Sequence, residues 1–363
     1  MIIGLANTKI DSILVYWQDK TLTKLPTFSV DKVNKIDFLT SQKRKIKKQD
    51  PSVKPLLELI EQPVFVAHKE DDYVDFYTER NIPMMLSKEG PKIAVGDMNG
   101  DKQDDIFICG AKGQKSQLYL AQNGGFKLVD SPELSRFLDF EDTAAHLFDA
   151  DGDGDLDLFV GSGGNHLPLG ERALQSRLFM NDGKANFKLN GAAFPSNGLN
   201  TSVAVSCDYD GDGDLDLFVG SRNKPQDYGA PTQSFLYQND GKGNFKDVAP
   251  EIARKINSFG MVTDAKWADV DGDKRAELII VGEWKDPSVF KYNSGKFEKM
   301  EIPEFKNKFG WWFSVSAGDL DGDGDIDLVL GNLGENSYLT TPRFLPIKLW
   351  MNDFDGNDAV EKV

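Results

Sequence analysis

The chain has 363 residues, of which 40% are hydrophobic and which include 34 Gly and 16 Pro. That is too long for one small core, and it fits a large repeat array or two domains of many short elements. A net charge of −16 disfavours nucleic acid and anionic membrane as partners. No apolar run reaches transmembrane length, and the N-terminus lacks the basic-then-apolar layout of an export signal. The two cysteines, Cys109 and Cys207, lie on apolar strand-like stretches beside different acidic loops, which reads as two free buried thiols.

Residues 1–40 alternate with a strand period. Ile13-Leu-Val-Tyr-Trp17, a Gln-Asp-Lys turn, Thr21 to Leu25 and a stretch through Val30, Val33 and Ile36 predict two or three short antiparallel strands. Residues 41–62 read as a basic linker: Gln42-Lys-Arg-Lys-Ile-Lys-Lys48, then Pro51, Pro55 and a short helix over Leu56 to Ile60. From residue 63 a second module begins, and Val64-Phe-Val-Ala-His68 is expected to be an outer strand followed by an entry loop. His68, His146 and His166 share no ligand spacing, so they read as ordinary structural or surface residues and not as a zinc site.

After Lys92 the chain repeats itself. Five acidic nine-residue loops each precede an apolar run ending in Gly, such as Leu158-Phe-Val-Gly161. In the first, Asp97, Asn99, Asp101, Gln103 and Asp105 hold positions 1, 3, 5, 7 and 9; in the second these are Asp149, Asp151, Asp153, Asp155 and Asp157. The third has Asp208, Asp210, Asp212, Asp214 and Asp216; the fourth Asp269, Asp271, Asp273, Arg275 and Glu277; the fifth Asp319, Asp321, Asp323, Asp325 and Asp327. The repeat length of about 50–60 residues, with strand-like runs on both sides of each loop, is that of a propeller blade. A second marker, Leu178-Phe-Met-Asn181-Asp-Gly and Leu236-Tyr-Gln-Asn239-Asp-Gly, reads as a tight hairpin in which Asn-Asp-Gly supplies positive φ angles. Each repeat is therefore strand, acidic loop, strand, variable connection, strand, turn, strand. The predicted fold is all-β, a β-propeller of four-stranded antiparallel blades, with five clear repeats that allow six or seven blades or an incomplete ring.

Oxygen donors at 1, 3, 5 and 9 with a backbone carbonyl at 7 describe a site for a hard divalent ion, calcium before magnesium or zinc. An EF-hand is excluded because position 12 is apolar in every copy: Ile108, Val160, Val219, Ile280 and Leu330. The alternative is a set of acidic surface turns held by Asx-type hydrogen bonds, which five copies in phase argue against. Loops saturated by their own carboxylates read as structural sites, about five calcium ions whose binding is coupled to folding. A sixth copy, Asp353-Phe-Asp355-Gly-Asn357 to Glu361, also fits the pattern, but it aligns with the hairpin marker Leu349-Trp-Met-Asn352 and the sequence ends two residues later with no strand expected to hold it.

These residues resemble the FG-GAP and VCBS repeat propellers, related to the integrin α-chain propeller, over about residues 64–363. Gly4-Leu-Ala and Ile13-Leu-Val-Tyr-Trp17 are similar to the later part of the small ASPIC/UnbV β module, without its usual Pro and Gly after Trp17. The resemblance implies an extracytoplasmic, non-enzymatic binding protein, and a chain starting inside one module and ending inside a blade reads as part of a longer polypeptide. A protein or glycan ligand is expected on the connections opposite the acidic loops, at 163–175, 222–231 and 332–346, with Tyr228 and Tyr338 as exposed contacts. Trp267, Trp284, Trp311 and Trp312 read as packing between blades. The competing function is a polysaccharide lyase or hydrolase using His166, Glu171 or Glu335, which no spacing connects.

Overall fold

The computed structural model describes residues 13–17, 21–25, 36–38, 44–45, 65–80, 82–334, 336, 347–357 and 360–363. The chain forms two compact units, Met1–Gln62 and Pro63–Val363. In the first, β1 (Ile13–Tyr16), β2 (Thr21–Leu25) and β3 (Arg44–Lys45) form an antiparallel sheet in that order. The indole of Trp17 donates to Thr23 Oγ1 at 2.8 Å and meets Phe38 edge-on. The third strand comes from the basic run; of the stretch expected to supply one through Val30, Val33 and Ile36, only Ile36 to Phe38 are described, outside any strand, and the rest lies outside the described residues. The helix expected over 56–60 lies outside the described residues.

Four complete four-stranded blades follow. Blade 1 is β4 (Ile93–Gly96), β5 (Asp105–Ile108), β6 (Gln117–Gln122) and β7 (Gly125–Val129); blade 2 is β8 (Asp142–Phe148), β9 (Asp157–Ser162), β10 (Arg177–Met180) and β11 (Lys188–Asn190). Blade 3 is β12 (Asn200–Cys207), β13 (Asp216–Asn223), β14 (Phe235–Asn239) and β15 (Phe245–Asp247); blade 4 is β16 (Val262–Ala268), β17 (Glu277–Lys285), β18 (Ser288–Asn293) and β19 (Lys296–Lys299). Neighbours in sequence are neighbours in each sheet, as the repeat pattern predicts. A fifth repeat contributes β20 (Gly310–Gly318) and β21 (Asp327–Asn332), and the end of β17 also pairs with β20, joining the last two sheets. A hairpin of β22 (Met351–Asn352) and β23 (Glu361–Lys362) ends the chain.

The core lies in the seams between blades. Phe107, Leu158 and Phe179 share one cluster; Phe159, Leu217 and Tyr237 the next; Phe218, Leu278 and Phe290 the next; Ile279, Val289 and Val315 the last. This explains why the second strands read as continuous apolar runs: β9 and β13 are buried along their whole length, with a blade on either side. The glycine closing each run has a packing role. A Cβ on Gly161 would lie 2.4 Å from Thr201 Cγ2, and one on Gly220 would lie 2.6 Å from Val262 Cγ1, so the first strand of the following blade comes within backbone reach.

The first strands β4, β8, β12, β16 and β20 are successive neighbours. In β8, β12 and β16 the pairing slips at Thr143, Ser202 and Thr263. Each bulged hydroxyl then donates to the next first strand, to Thr201 O at 2.5 Å, Val262 O at 2.8 Å and Trp312 O at 2.6 Å. β20 slips at the equivalent place, where Phe313 has no hydroxyl to offer.

Residues 65–80 and 82–91 hold no strand. They run as irregular chain with one 3-10 turn, Asp75–Tyr77, and this differs from the outer strand expected at Val64 to His68. Val66 N bonds Tyr119 Oη in blade 1, Glu79 accepts from Asn165 Nδ2 of blade 2 and Tyr228 N of blade 3, and Glu89 pairs with Arg222 of blade 3. The segment lacks strand alternation and is held to successive blades by these hydrogen bonds.

Candidate metal loops and the opposite end

Each acidic loop is wound by its own carboxylates. Asp149 accepts from the N–H groups of Gly152 (2.7 Å) and Gly154 (2.9 Å), and Asp208 and Asp319 repeat this with the glycines three and five residues on. The side chains at positions 3 and 5 accept from the N–H two residues ahead. Gly152, Gly154, Gly211 and Gly213 all have positive φ, a conformation that a side chain would resist. Position 9 locks loop to sheet: Asp157 takes the N–H of Ala150 on one oxygen and that of Asn181 on the other, and Asp216 takes Asn239 N at 3.0 Å.

The result is a convergence of carboxylates. Asp149, Asp151 and Asp157 place ligand atoms within 4.8 Å of one another, as do Asp208, Asp210 and Asp216, and Asp319, Asp321 and Asp327. The fourth loop gathers positions 1, 3 and 5, Asp269, Asp271 and Asp273. The first loop, with Asn99 at position 3, forms no such carboxylate group. Asp353, Asp355 and Glu361 also converge, and the β22–β23 hairpin brackets them, so the sixth copy has flanking strands, which differs from the expectation of none. No histidine joins any of these groups among the described residues.

The donor sets fit a hard cation. They are all oxygen, and the position 9 carboxylates of Asp157 and Asp216, each only 1% exposed, are buried where they converge with the other acidic side chains of their loops. Without a cation, burial pushes Asp157 up to about 6 and Asp216 up to about 7. Five carboxylates in nine residues are therefore costly in a metal-free loop. The position 7 side chains Asp155 and Asp214 lie against Gly183 and Gly241 of the adjoining hairpins, which leaves their carbonyls as the groups the ligand pattern uses.

The Asn-Asp-Gly marker does something the turn reading missed. Positive φ falls on Gly183 and Gly241 and not on the asparagines. Asn239 Nδ2 instead donates to Ala150 O of the preceding acidic loop at 2.8 Å and to Leu215 O of its own loop at 3.1 Å, and Asn181 does the same with Met98 O and Leu156 O. The side chain is a clamp between consecutive loops. The in-phase hydroxyls at Thr143, Ser202 and Thr263, six residues before each loop, are a second clamp that the spacing contained and turn chemistry did not reveal.

At the opposite end, the connections predicted to meet a ligand are partly occupied by the chain itself. Tyr228 is 1% exposed and not an exposed contact; its hydroxyl donates to Glu283 and accepts from Trp284 Nε1. Arg222 lies between Glu89 and Glu283; burial alone would lower its pKa, and the two carboxylates carry it above its ordinary value. Tyr338 and Glu335 lie outside the described residues. His166 faces Tyr73 with ring centroids 6.0 Å apart, and Glu171 is exposed on the same connection. Neither lines the 360 Å³ cavity beside blade 1, which is walled by Val66, Gln117, Leu128 and Leu134. Trp284 and Trp311 stack edge to face across the β17–β20 junction, and Trp267 Nε1 reaches Val205 O of blade 3, both as packing. Cys109 is buried and Cys207 half-buried; both are free, and burial pushes the Cys207 thiol up to about 11.

Four-stranded antiparallel blades, each opened by an aspartate-rich loop and sealed to the next along its first strand, define a repeat β-propeller. A sequence profile for FG-GAP-like repeats matches residues 97–160, 149–219, 208–280 and 269–330. The chain belongs to the FG-GAP-like repeat family. No curated protein matches it. Among solved structures it is similar to an Agrocybe aegerita lectin described as recognising non-reducing terminal N-acetylglucosamine, with 20% identity, a TM-score of 0.44, and 67% of this chain and 61% of the lectin covered. It is also similar to the V. cholerae biofilm matrix protein Bap1, with 16% identity, a TM-score of 0.30, and 68% of this chain and 35% of Bap1 covered. The chain thus spans less than two thirds of either neighbour's length.

Proposed function

We propose that this chain is a calcium-stabilised, non-enzymatic binding module that engages a protein or glycan outside the cytoplasm through the end opposite the acidic loops. The observation that supports it best is the recurrence of converging carboxylates, with the position 9 side chains Asp157 and Asp216 buried among them, on the same end of successive blades. Asp, Asn and Glu side chains at 1, 3, 5 and 9 and the carbonyls at 7 would hold the ions, which would supply positive charge and no reaction chemistry. At the other end, exposed Phe76, Tyr77 and Leu169 and the polar connections around them offer a contact surface on a rigid scaffold. The neighbours' glycan recognition and matrix role agree with this reading. Residues 1–40 belong in the same proposal as an ASPIC/UnbV-like module, with 41–62 as the linker to the propeller.

Thermal melts of metal-stripped protein with and without calcium test the first half. An increase in melting temperature of roughly 10 °C or more is expected if several loops bind in the folded state alone. An unchanged value in protein verified metal-free would remove calcium from the proposal. A glycan array and a pull-down against extracellular proteins test the second half, and saturable turnover of any polysaccharide would replace the binding reading with an enzymatic one.

A further inference from the structure

We infer that the fourth acidic loop is closed by a lysine of the protein's own, Lys291, and takes no divalent ion. The inference rests on the calcium reading of the other loops. Lys291 Nζ bonds Asp271 Oδ2, lies 2.6 Å from Asp273 Oδ2 and 3.4 Å from Glu277 Oε1. These are positions 3, 5 and 9, the side chains an ion would need. Calcium sits about 2.3–2.6 Å from its oxygens. An ammonium nitrogen on the same oxygens claims the same space, so ion and lysine exclude each other.

Strand register places the lysine there. Leu278 pairs with Phe290, and the next residue of β18 is Lys291. The equivalent pairs are Ile106 with Tyr119, Leu158 with Phe179 and Leu217 with Tyr237, which put Leu120, Met180 and Gln238 at the same site in blades 1 to 3. Gln238 Nε2 reaches Asp210 Oδ2 at 2.8 Å, a neutral donor where blade 4 has a cation. The loop's composition agrees. Its four carboxylates are accompanied by Lys274 and Arg275 at positions 6 and 7, where the second, third and fifth loops have Gly and Asp. Its converging group also differs, comprising Asp269, Asp271 and Asp273 without Glu277.

A tethered ammonium is a competitor at high effective concentration. It also offsets one of the loop's four carboxylate charges at any calcium level. Blade 4 is the blade whose second strand continues into the fifth sheet through Glu283 and Lys285. The fourth loop, at the other end of that strand, therefore stays closed when calcium is withdrawn, while the other loops loosen.

Hydrogen exchange of the full chain, with calcium and with chelator, separates the possibilities. Calcium is expected to slow exchange at 149–157, 208–216 and 319–327 by about tenfold or more, and to change 269–277 by less than about twofold. Lys291→Met, which copies blade 2, should make 269–277 respond to calcium. Gln238→Lys should remove the response at 208–216, which keeps the test decisive if the first variant folds poorly. A wild-type fourth loop that responds like its neighbours, or a Lys291→Met loop that stays silent, overturns the inference. Silence at every loop in the wild type overturns the calcium reading itself, and the contrast with it.

Discussion

Replacing Asn239 by Ala tests the clamp between consecutive loops. Asn239 is 7% exposed, and its amide is the donor to Ala150 O and Leu215 O, at 2.8 and 3.1 Å. Truncation leaves two carbonyls in a dry seam without that donor. At a net value near 1 kcal/mol per hydrogen bond, with some added desolvation penalty, the cost is about 2–3 kcal/mol. For a domain of this size that is a fall in melting temperature of roughly 3–5 °C, read by differential scanning fluorimetry in saturating calcium. Asn239→Gly is the informative partner. If the asparagine were there for turn geometry, Gly would serve as well or better, because it adopts any turn conformation freely. If the amide is a clamp, Gly loses as much as Ala, and Asn239→Asp loses more by turning a carboxylate toward two carbonyls. A Gly variant melting within about 1 °C of wild type while Ala falls by several degrees would refute the clamp and restore the turn reading.

Thr263→Val removes the hydroxyl that donates to Trp312 O while keeping shape; a loss of about 1 kcal/mol is expected, with faster amide exchange around 310–315. Equal exchange in both proteins would mean the bulge holds that seam without the bond. Arg222→Met leaves Glu89 and Glu283 without their shared cation, and a loss of about 3–5 kcal/mol is expected in a urea titration, with near-neutral stability as the contrary result. Burial pushes Glu141 up to about 8 from an ordinary 4.5. Between those values the folded state keeps a proton that the unfolded chain releases, so its contribution to stability falls as pH rises, by up to about 1.4 kcal/mol per pH unit. Glu141→Gln should flatten that slope: wild type and variant melts should diverge between pH 5 and pH 8, the variant gaining relative stability at the higher pH, and parallel curves would contradict the assignment.

Some of this molecule is written locally. The acidic positions 1, 3, 5 and 9, the glycines with positive φ and the apolar runs act over a few residues, so a single copy reveals the loop and the repeat reveals the blade. The order of strands within a sheet follows as well, because each strand pairs with its neighbour in sequence. What lies between blades was not legible, because it joins residues far apart in the chain. Gly161 looked like the end of a strand until Thr201 was found against it. Asn239 looked like a turn residue because its partner Ala150 lies in the previous repeat. Tyr228, in a connection that composition alone would put at the surface, is covered by residues near the start of the propeller and held by Glu283. Lys291 shows the same limit in the loops themselves: the ligand pattern of the fourth copy is intact in sequence, and only the strand beside it brings an ammonium among its carboxylates. Local spacing determined what each repeat is; which groups are buried, and what they meet there, was decided by how the repeats stack.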